Sequence, residues 1–227
     1  MLITKVQKRN EKLMRNFLKF VIYVFIIIIV FNIFSKINYK VRYNKMSNVD
    51  NIPEPIQTRT TGEVHKIIGN TDLKIEFLYK YVASGRVILT HNYPQDTIEN
   101  MLSPKDVGLS WGKLAKNLNR TTVYWALGNR FLSWSTQDMD WIKSTGGMRV
   151  VKRSYSNNHL IPDTDETKQK IYDIREDDYI KLEGYLVKVT YQMSDGRTYL
   201  WKSSTYRNDS GNHACEVMYV TDVTKLK

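Results

Sequence analysis

The sequence predicts an α+β protein that is mainly β, with one membrane helix at its N-terminus. Three observations support this prediction. Phe20 to Phe34 form an apolar run broken only by Asn32. The last third of the chain alternates apolar and polar residues in long β-branched stretches. Prolines at positions 53 and 55 separate these two regions. The chain of 227 residues is long enough for one span and one domain of ordinary size.

The apolar run predicts a transmembrane signal anchor over residues 20–35, after a basic tail of residues 1–19. Fifteen helical residues cover about 22 Å, and flanking Phe17, Leu18 and Ser35 bring the segment close to the width of a bilayer core. No small residues follow the run at the spacing of a peptidase site, so we expect the anchor to be retained. Six bases before the run and four after it favour a cytoplasmic N-terminus and an extracytoplasmic C-terminal domain.

The net charge of +11 does not indicate a nucleic-acid-binding domain. Residues 1–45 hold ten bases and one acid, whereas the remaining 182 residues hold 24 bases and 22 acids. The excess therefore flanks the membrane segment, and a basic footprint for nucleic acid would have to lie on the folded domain. We expect contact with the lipid bilayer through residues 20–35 and no nucleic-acid partner.

Residues 36–62 are predicted to form a linker, and residues 63–227 a β-rich extracytoplasmic domain. "EVHKIIG", "LKIEFLYKY" and "GRVILTHNY" predict strands, and "SPKDVGLSWG" predicts a glycine-containing loop that holds Asp106 and Trp111. "TTVYWAL" and "RFLSWS" around "GN" predict a hairpin. "TKQKIYDIR" predicts a short helix after an acidic first turn.

The clearest β signal begins at "DYIKLEGYLVKVTYQM" and continues through "RTYLWKSSTY" and "ACEVMYVTDV". Gly184 in the middle of the first strand predicts a bulge or a sharp bend. We expect either a small antiparallel sheet with short helices, or a partly open barrel of the OB or SH3-like kind.

Cys215 is the single cysteine of the chain, and it could be a nucleophile or a structural residue. It opens a β-branched stretch, whereas reactive thiols commonly lie at helix N-termini or beside an imidazole. We expect a buried strand residue. A Cys/His or Asp/His hydrolase centred on the 203–216 loop remains the alternative.

The four histidines are scattered without zinc-site spacing, so no metal site, no cofactor and no catalytic residue are predicted. His159, in "NNHLIPD", is expected to be a loop histidine that hydrogen-bonds to the backbone. A shallow polar pocket lined by Trp111, Trp201, Arg207 and His213 is the candidate binding site, because loops at the ends of strands often carry binding residues.

The segments "SPKDVGLSWG", "NNHLIPD", "DYIKLEGYLV" and "SSTYRNDSGNHACEVMYVTDV" carry a resemblance that covers roughly residues 75–223. The chain resembles bacterial single-pass membrane-anchored proteins with a β-rich domain and no assigned function. This resemblance implies no activity, cofactor or site. Together with the anchor, it leads us to expect a binding or assembly module of the bacterial cell envelope that has an envelope protein as its partner.

Overall fold

The computed structural model describes residues 13–30, 52–206 and 215–226. The chain divides into two compact units, Met1–Asn48 and Val49–Lys227. The described part of the first unit is helix α1, Leu13–Val30, with a mean hydropathy of 2.2 and no buried residue. This helix is long and apolar enough to span a membrane, which supports the predicted single-pass anchor. Residues 31–35 of the predicted span lie outside the described residues.

The second unit is mainly β, with a large mixed sheet, a small antiparallel sheet and short helices. Its strands are β1 Ile56–Arg59, β2 Glu63–Ile68, β3 Thr71–Asn92, β4 Lys105–Ser110, β5 Val123–Gly128, β6 Phe131–Thr136, β7 Tyr155–Pro162, β8 Tyr179–Gln192, β9 Thr198–Lys202 and β10 Glu216–Lys225. Its helices are α2 Ile98–Leu102, α3 Gly112–Lys116, α4 Met139–Ser144, α5 Met148–Arg153 and α6 Asp165–Tyr172. Strand β1 lies within the segment predicted as a linker.

The large sheet has the strand order β1-β3-β4-β7-β10-β8-β9, and β2 forms a hairpin with β3. β3 also pairs with β8 along residues 74–86, so the pairings run from β3 through β4, β7, β10 and β8 back to β3. β7 and β10 are parallel, and the other paired strands are antiparallel. This parallel pair departs from the antiparallel sheet expected from the sequence. It is possible because α6, β8 and β9 separate the two strands along the chain.

The core of the large sheet lies on the face formed by alternate residues of its strands. Val107 and Leu109 of β4, Leu160 of β7 and Met218 of β10 are fully buried together there. The intervening residues of β4 and β7 therefore point to the opposite face. A second buried cluster lies between β3, β8, α2 and β9, and a third contains Trp125 and Trp141 of the segment that connects β4 to β7.

Gly184 adopts the conformation that the sequence predicted for a bend in β8. A Cβ atom at this position would lie 2.0 Å from the carbonyl oxygen of Tyr219, and φ is 157°. The register between β8 and β10 shifts opposite this residue, between Val220 and Asp222. The irregularity predicted at Gly184 therefore coincides with a bulge whose extra residue, Thr221, lies in β10 and not in β8, and the lack of a side chain at Gly184 lets the β10 backbone approach β8 closely.

Two sequence interpretations need correction because they assigned strand residues to loops. Asp106 lies in the buried strand β4, and His159 lies in the buried strand β7. Both strands are covered on both faces, so they lack the exposed polar positions that make an amphipathic strand recognisable.

Candidate functional site

Asp106 lies at the centre of a buried polar network on the face of β4 and β7 opposite the core. It is directly opposite His159 in the register between the two strands. Its Oδ1 is 2.9 Å from Nδ1 of His159 and 2.7 Å from Nη1 of Arg130. Its Oδ2 accepts a hydrogen bond of 3.0 Å from the hydroxyl of Tyr93. Asp106 is fully buried, so these contacts replace the water that a carboxylate would otherwise need.

The network keeps Asp106 ionised. Burial acts to raise the pKa of this carboxyl group, but the hydrogen bond and electrostatic attraction of His159, together with the Arg130 charge, hold the pKa below its ordinary value. The same network affects Tyr93, because burial and the negative charge of Asp106 raise the pKa of its hydroxyl. Tyr93 therefore acts as a neutral hydrogen-bond donor to a carboxylate.

The ionised carboxylate determines which nitrogen of His159 carries a proton. Nδ1 faces an acceptor and therefore donates, which turns Nε2 away from the carboxylate. Among the described residues, no group hydrogen-bonds to Nε2. The imidazole lies 5.2 Å from the ring of Trp201 and borders an open groove. His159 thus offers one oriented nitrogen to anything that enters the groove.

Arg130 reaches the network from the tight turn between β5 and β6. Asn129 and Arg130 have φ values of 49° and 62°, as in the two-residue turns that suit hairpins. Asparagine tolerates this conformation, whereas arginine rarely adopts it. The guanidinium group compensates through its bond to Asp106 and its position 3.6 Å above the Tyr93 ring. The Arg130 backbone N–H also donates to the Tyr93 hydroxyl, which fixes the hairpin tip on the sheet.

The groove beside this network has a volume of about 700 Å³. Its lining consists of residues 199–206 together with the β5–β6 turn residues Asn129, Arg130 and Phe131, and with Glu99, His159, Cys215 and Val217. Three large hydrophobic side chains on its rim are exposed: Phe131 by 42%, Leu200 by 60% and Tyr206 by 80%. This volume is within the usual range for ligand pockets. Exposed apolar groups gathered around one concavity are typical of interaction sites.

Cys215 precedes β10 by one residue, is half-buried and lines the groove, so it is not the buried strand residue that was expected. Its Sγ lies 3.6 Å from the carbonyl oxygen of Arg130, to which it donates, and 3.8 Å from Nδ2 of Asn157. Asn157 has its Oδ1 buried with no hydrogen-bond partner in the described part of the chain. Cys215 thus shares the groove with His159, while its sulfur contacts the hairpin tip.

The structure brings together a different set of residues from those predicted. Trp201 of β9 lines the groove, as part of the predicted pocket. Trp111 is 2% exposed at the start of α3 and does not line the groove. Arg207 and His213 lie outside the described residues. The sequence interpretation missed the Asp106, His159 and Arg130 network.

Within residues 13–30, 52–206 and 215–226, no group of three or more metal-ligating side chains is placed to hold a metal ion. A second cleft of about 600 Å³ lies beside β5 and contains Tyr124 and Arg120. It holds none of the residues predicted as a site. No family model, no curated protein and no solved structure matches the chain.

Proposed function

We propose that this chain is a single-pass membrane-anchored module of the bacterial cell envelope that binds a protein partner through the groove. The anchor is helix α1, Leu13–Val30, which overlaps the predicted segment 20–35, with the N-terminus in the cytoplasm and the β-rich domain outside it. The observation that carries the proposal is the rim of Phe131, Leu200 and Tyr206 around the groove. Large apolar and aromatic groups at a concave surface supply much of the binding energy of protein interfaces.

The charge of the groove supports a protein partner rather than a highly charged ligand. Arg130 is paired with Asp106 in the network beneath the groove. Lys202 and Glu99 are the other charged residues that line it, and they have opposite signs. A nucleic-acid strand would need a continuous basic surface along its phosphates. The groove has no such excess of positive charge in the described residues.

The strand pairings support a finer description of the domain. We infer that β3, β4, β7, β10 and β8 form a partly open five-stranded barrel of the OB kind, because their pairings return to the first strand. OB-folds bind their ligands on the face of their second and third strands and at adjacent loops. The second and third strands in chain order here are β4 and β7, which carry Asp106 and His159.

Photo-crosslinking in intact cells tests the proposed function. A photoreactive residue replaces Tyr206 in the full chain, and in a matched control it replaces Tyr124, which is 72% exposed and lines the other cleft. We expect a discrete crosslinked protein from position 206 that is absent from position 124. The crosslink should weaken at least fivefold when Phe131→Ser is added. Equal crosslinking from both positions would contradict the proposal.

A hydrolase is the second candidate, and the pair of Asp106 and His159 favours it. A carboxylate that orients an imidazole and a thiol in the same groove are residue types of nucleophilic catalysis, which requires the thiol to come within hydrogen-bond reach of the imidazole. The binding proposal expects Cys215 to react slowly with a membrane-impermeant maleimide, at least tenfold more slowly than in the denatured chain. A fast reaction below pH 7 that is lost in His159→Gln would instead support the hydrolase, since an activated thiol is ionised there.

A further inference from the structure

Strand β9 is an edge strand whose free side borders the groove. It pairs with β8 and has no second partner strand in the described sheet. The groove is lined by every residue from Tyr199 to Tyr206, although alternate residues of a strand point to opposite faces. A cavity that touches both faces of one strand must run along its edge. The groove therefore follows the free side of β9.

The hydrogen bonds of the β8–β9 hairpin show which backbone groups of β9 face the groove. Met193 N–H donates to the Arg197 carbonyl oxygen at 2.8 Å, and Ser203 N–H donates to the Val187 carbonyl oxygen at 2.9 Å. In an antiparallel pair, bonded and non-bonded positions alternate. Tyr199 and Trp201 therefore direct their backbone groups to β8. Leu200 and Lys202 direct theirs away from it, into the groove.

These outward groups have no backbone partner among the described residues. Their spacing of two residues, about 7 Å, matches that of a second extended strand. Tyr199 and Trp201 alternate with them and supply aromatic surface on one face, while Leu200 is exposed on the other. An extended peptide would pair with the outward backbone groups and place alternate side chains against this aromatic surface. Strand addition combines backbone hydrogen bonds with pockets for alternate side chains in this way.

We propose that the partner binds by adding an extended polypeptide segment to the free edge of β9. This inference rests on the proposed function, and it specifies the chemistry of the partner. Backbone groups of the segment pair with Leu200 and Lys202. Large apolar side chains at every second residue of the segment contact Phe131, Trp201 and the Nε2 side of His159. The segment thereby covers the free edge of β9, and an exposed sheet edge would otherwise tend to pair with other chains.

A peptide selection provides the probe. A random library of 12-residue peptides displayed on phage is selected for binding to the full chain in detergent micelles. Peptides that no longer bind the Tyr206→Ser variant are then synthesised. Backbone N-methylation at alternate residues should weaken binding at least tenfold, whereas methylation at the intervening residues should change it less than twofold. Leu200→Pro, which removes an outward N–H, should also weaken binding at least tenfold. Its control Leu200→Ala loses only the side chain and keeps the N–H, so Leu200→Pro should weaken binding several-fold more than Leu200→Ala does.

Hydrogen exchange keeps the test independent of how well Leu200→Pro folds. Bound peptide should slow amide exchange at Leu200 and Lys202 of the unsubstituted chain at least tenfold, and leave Tyr199 and Trp201 unchanged. The proposal is overturned if no groove-dependent peptide is selected, if N-methylation shows no alternation, or if exchange at both outward amides is unchanged. If these tests fail but position 206 still gives a discrete crosslinked protein, the proposed binding function stands and only strand addition is rejected.

A second copy of this chain is the competing occupant of the edge. Leu200→Cys in a Cys215→Ser background reports on it, because two β9 edges that pair with each other would form a disulfide-linked dimer under mild oxidation. We expect monomers in this experiment. A dimer in high yield would overturn the proposal in favour of self-association through β9.

Discussion

Asp106 shows how one buried carboxylate can organise a surface feature. Its two oxygens fix the imidazole of His159, the guanidinium of Arg130 and the hydroxyl of Tyr93. Arg130 in turn holds a hairpin tip whose neighbour Phe131 forms part of the groove rim. The carboxylate therefore has an effect on the groove although it is fully buried beneath it.

Replacing Asp106 by asparagine should destabilise the folded chain by roughly 3 kcal/mol, because it leaves Arg130 without its buried charged partner. The urea midpoint of the full chain in micelles measures this loss. Asp140→Asn is the control, since Asp140 is 97% exposed and contributes little through its surface pair with Lys143. An equal loss in both variants would contradict the role given to Asp106.

The same carboxylate predicts how stability depends on pH. The pKa of Asp106 is lowered in the folded state, so its stabilising contribution is complete above the unfolded value of about 3.9. This contribution is lost as the pH falls through the lower pKa that Asp106 has in the folded state. Between pH 5 and pH 2.5, the free energy of unfolding should decline more steeply in the unsubstituted chain than in Asp106→Asn. Parallel declines would show that other groups dominate in this range.

Sequence analysis singled out Asp106 and His159 separately, but it did not predict that they contact each other. His159 was noted for its polar context, and Asp106 for its place in a glycine-containing segment. Their contact depends on the register between β4 and β7, which are separated along the chain by α3, the β5–β6 hairpin, α4 and α5. Pairing over such a distance leaves no local pattern, so the network could not be predicted from spacing.

At the scale of elements, the predictions that succeeded rested on local chemistry. The β5–β6 hairpin follows from "GN" between two apolar stretches, and α6 follows from an acidic first turn with Thr164 as its cap. β4 was missed because its inward residues, Val107 and Leu109, are separated by a glycine, and its outward carboxylate is buried by another part of the chain. Local patterns predict an element best when one face remains in water.

Gly184→Ala should destabilise the domain by roughly 2 kcal/mol or more, because the added methyl group meets the Tyr219 carbonyl oxygen and must displace β10. Thermal unfolding of the full chain measures the effect. The matched control is Gly128→Ala, where nothing lies within 4 Å of the new Cβ atom. Comparable melting temperatures for the two variants would show that the close approach of β8 and β10 is not required.

At the scale of the whole molecule, an apolar helix and a β-rich domain of nearly balanced charge belong to separate compact units. The sequence predicted both, because hydropathy and charge are properties of composition and do not depend on long-range pairing. The identity of the partner depends on surface geometry, and sequence patterns contain little information about it.

The predicted topology can be measured with reporter fusions to the C-terminus. We expect an alkaline phosphatase fusion to be active and a cytoplasmic fluorescent or β-galactosidase fusion to be inactive, because six bases precede the apolar run and four follow it. Lys5→Gln, Lys8→Gln and Arg9→Gln together should shift the phosphatase activity downward. The opposite pattern of reporter activities would place the domain in the cytoplasm.

The length of β3 has a consequence for the order in which the chain can fold. Residues 74–86 of this strand pair with residues of β8 that are about a hundred positions later in the chain. During synthesis, β3 can form its hairpin with β2 early, but its longest pairing must wait until β8 has emerged from the ribosome. Contacts of this range slow folding and extend the life of incompletely paired states.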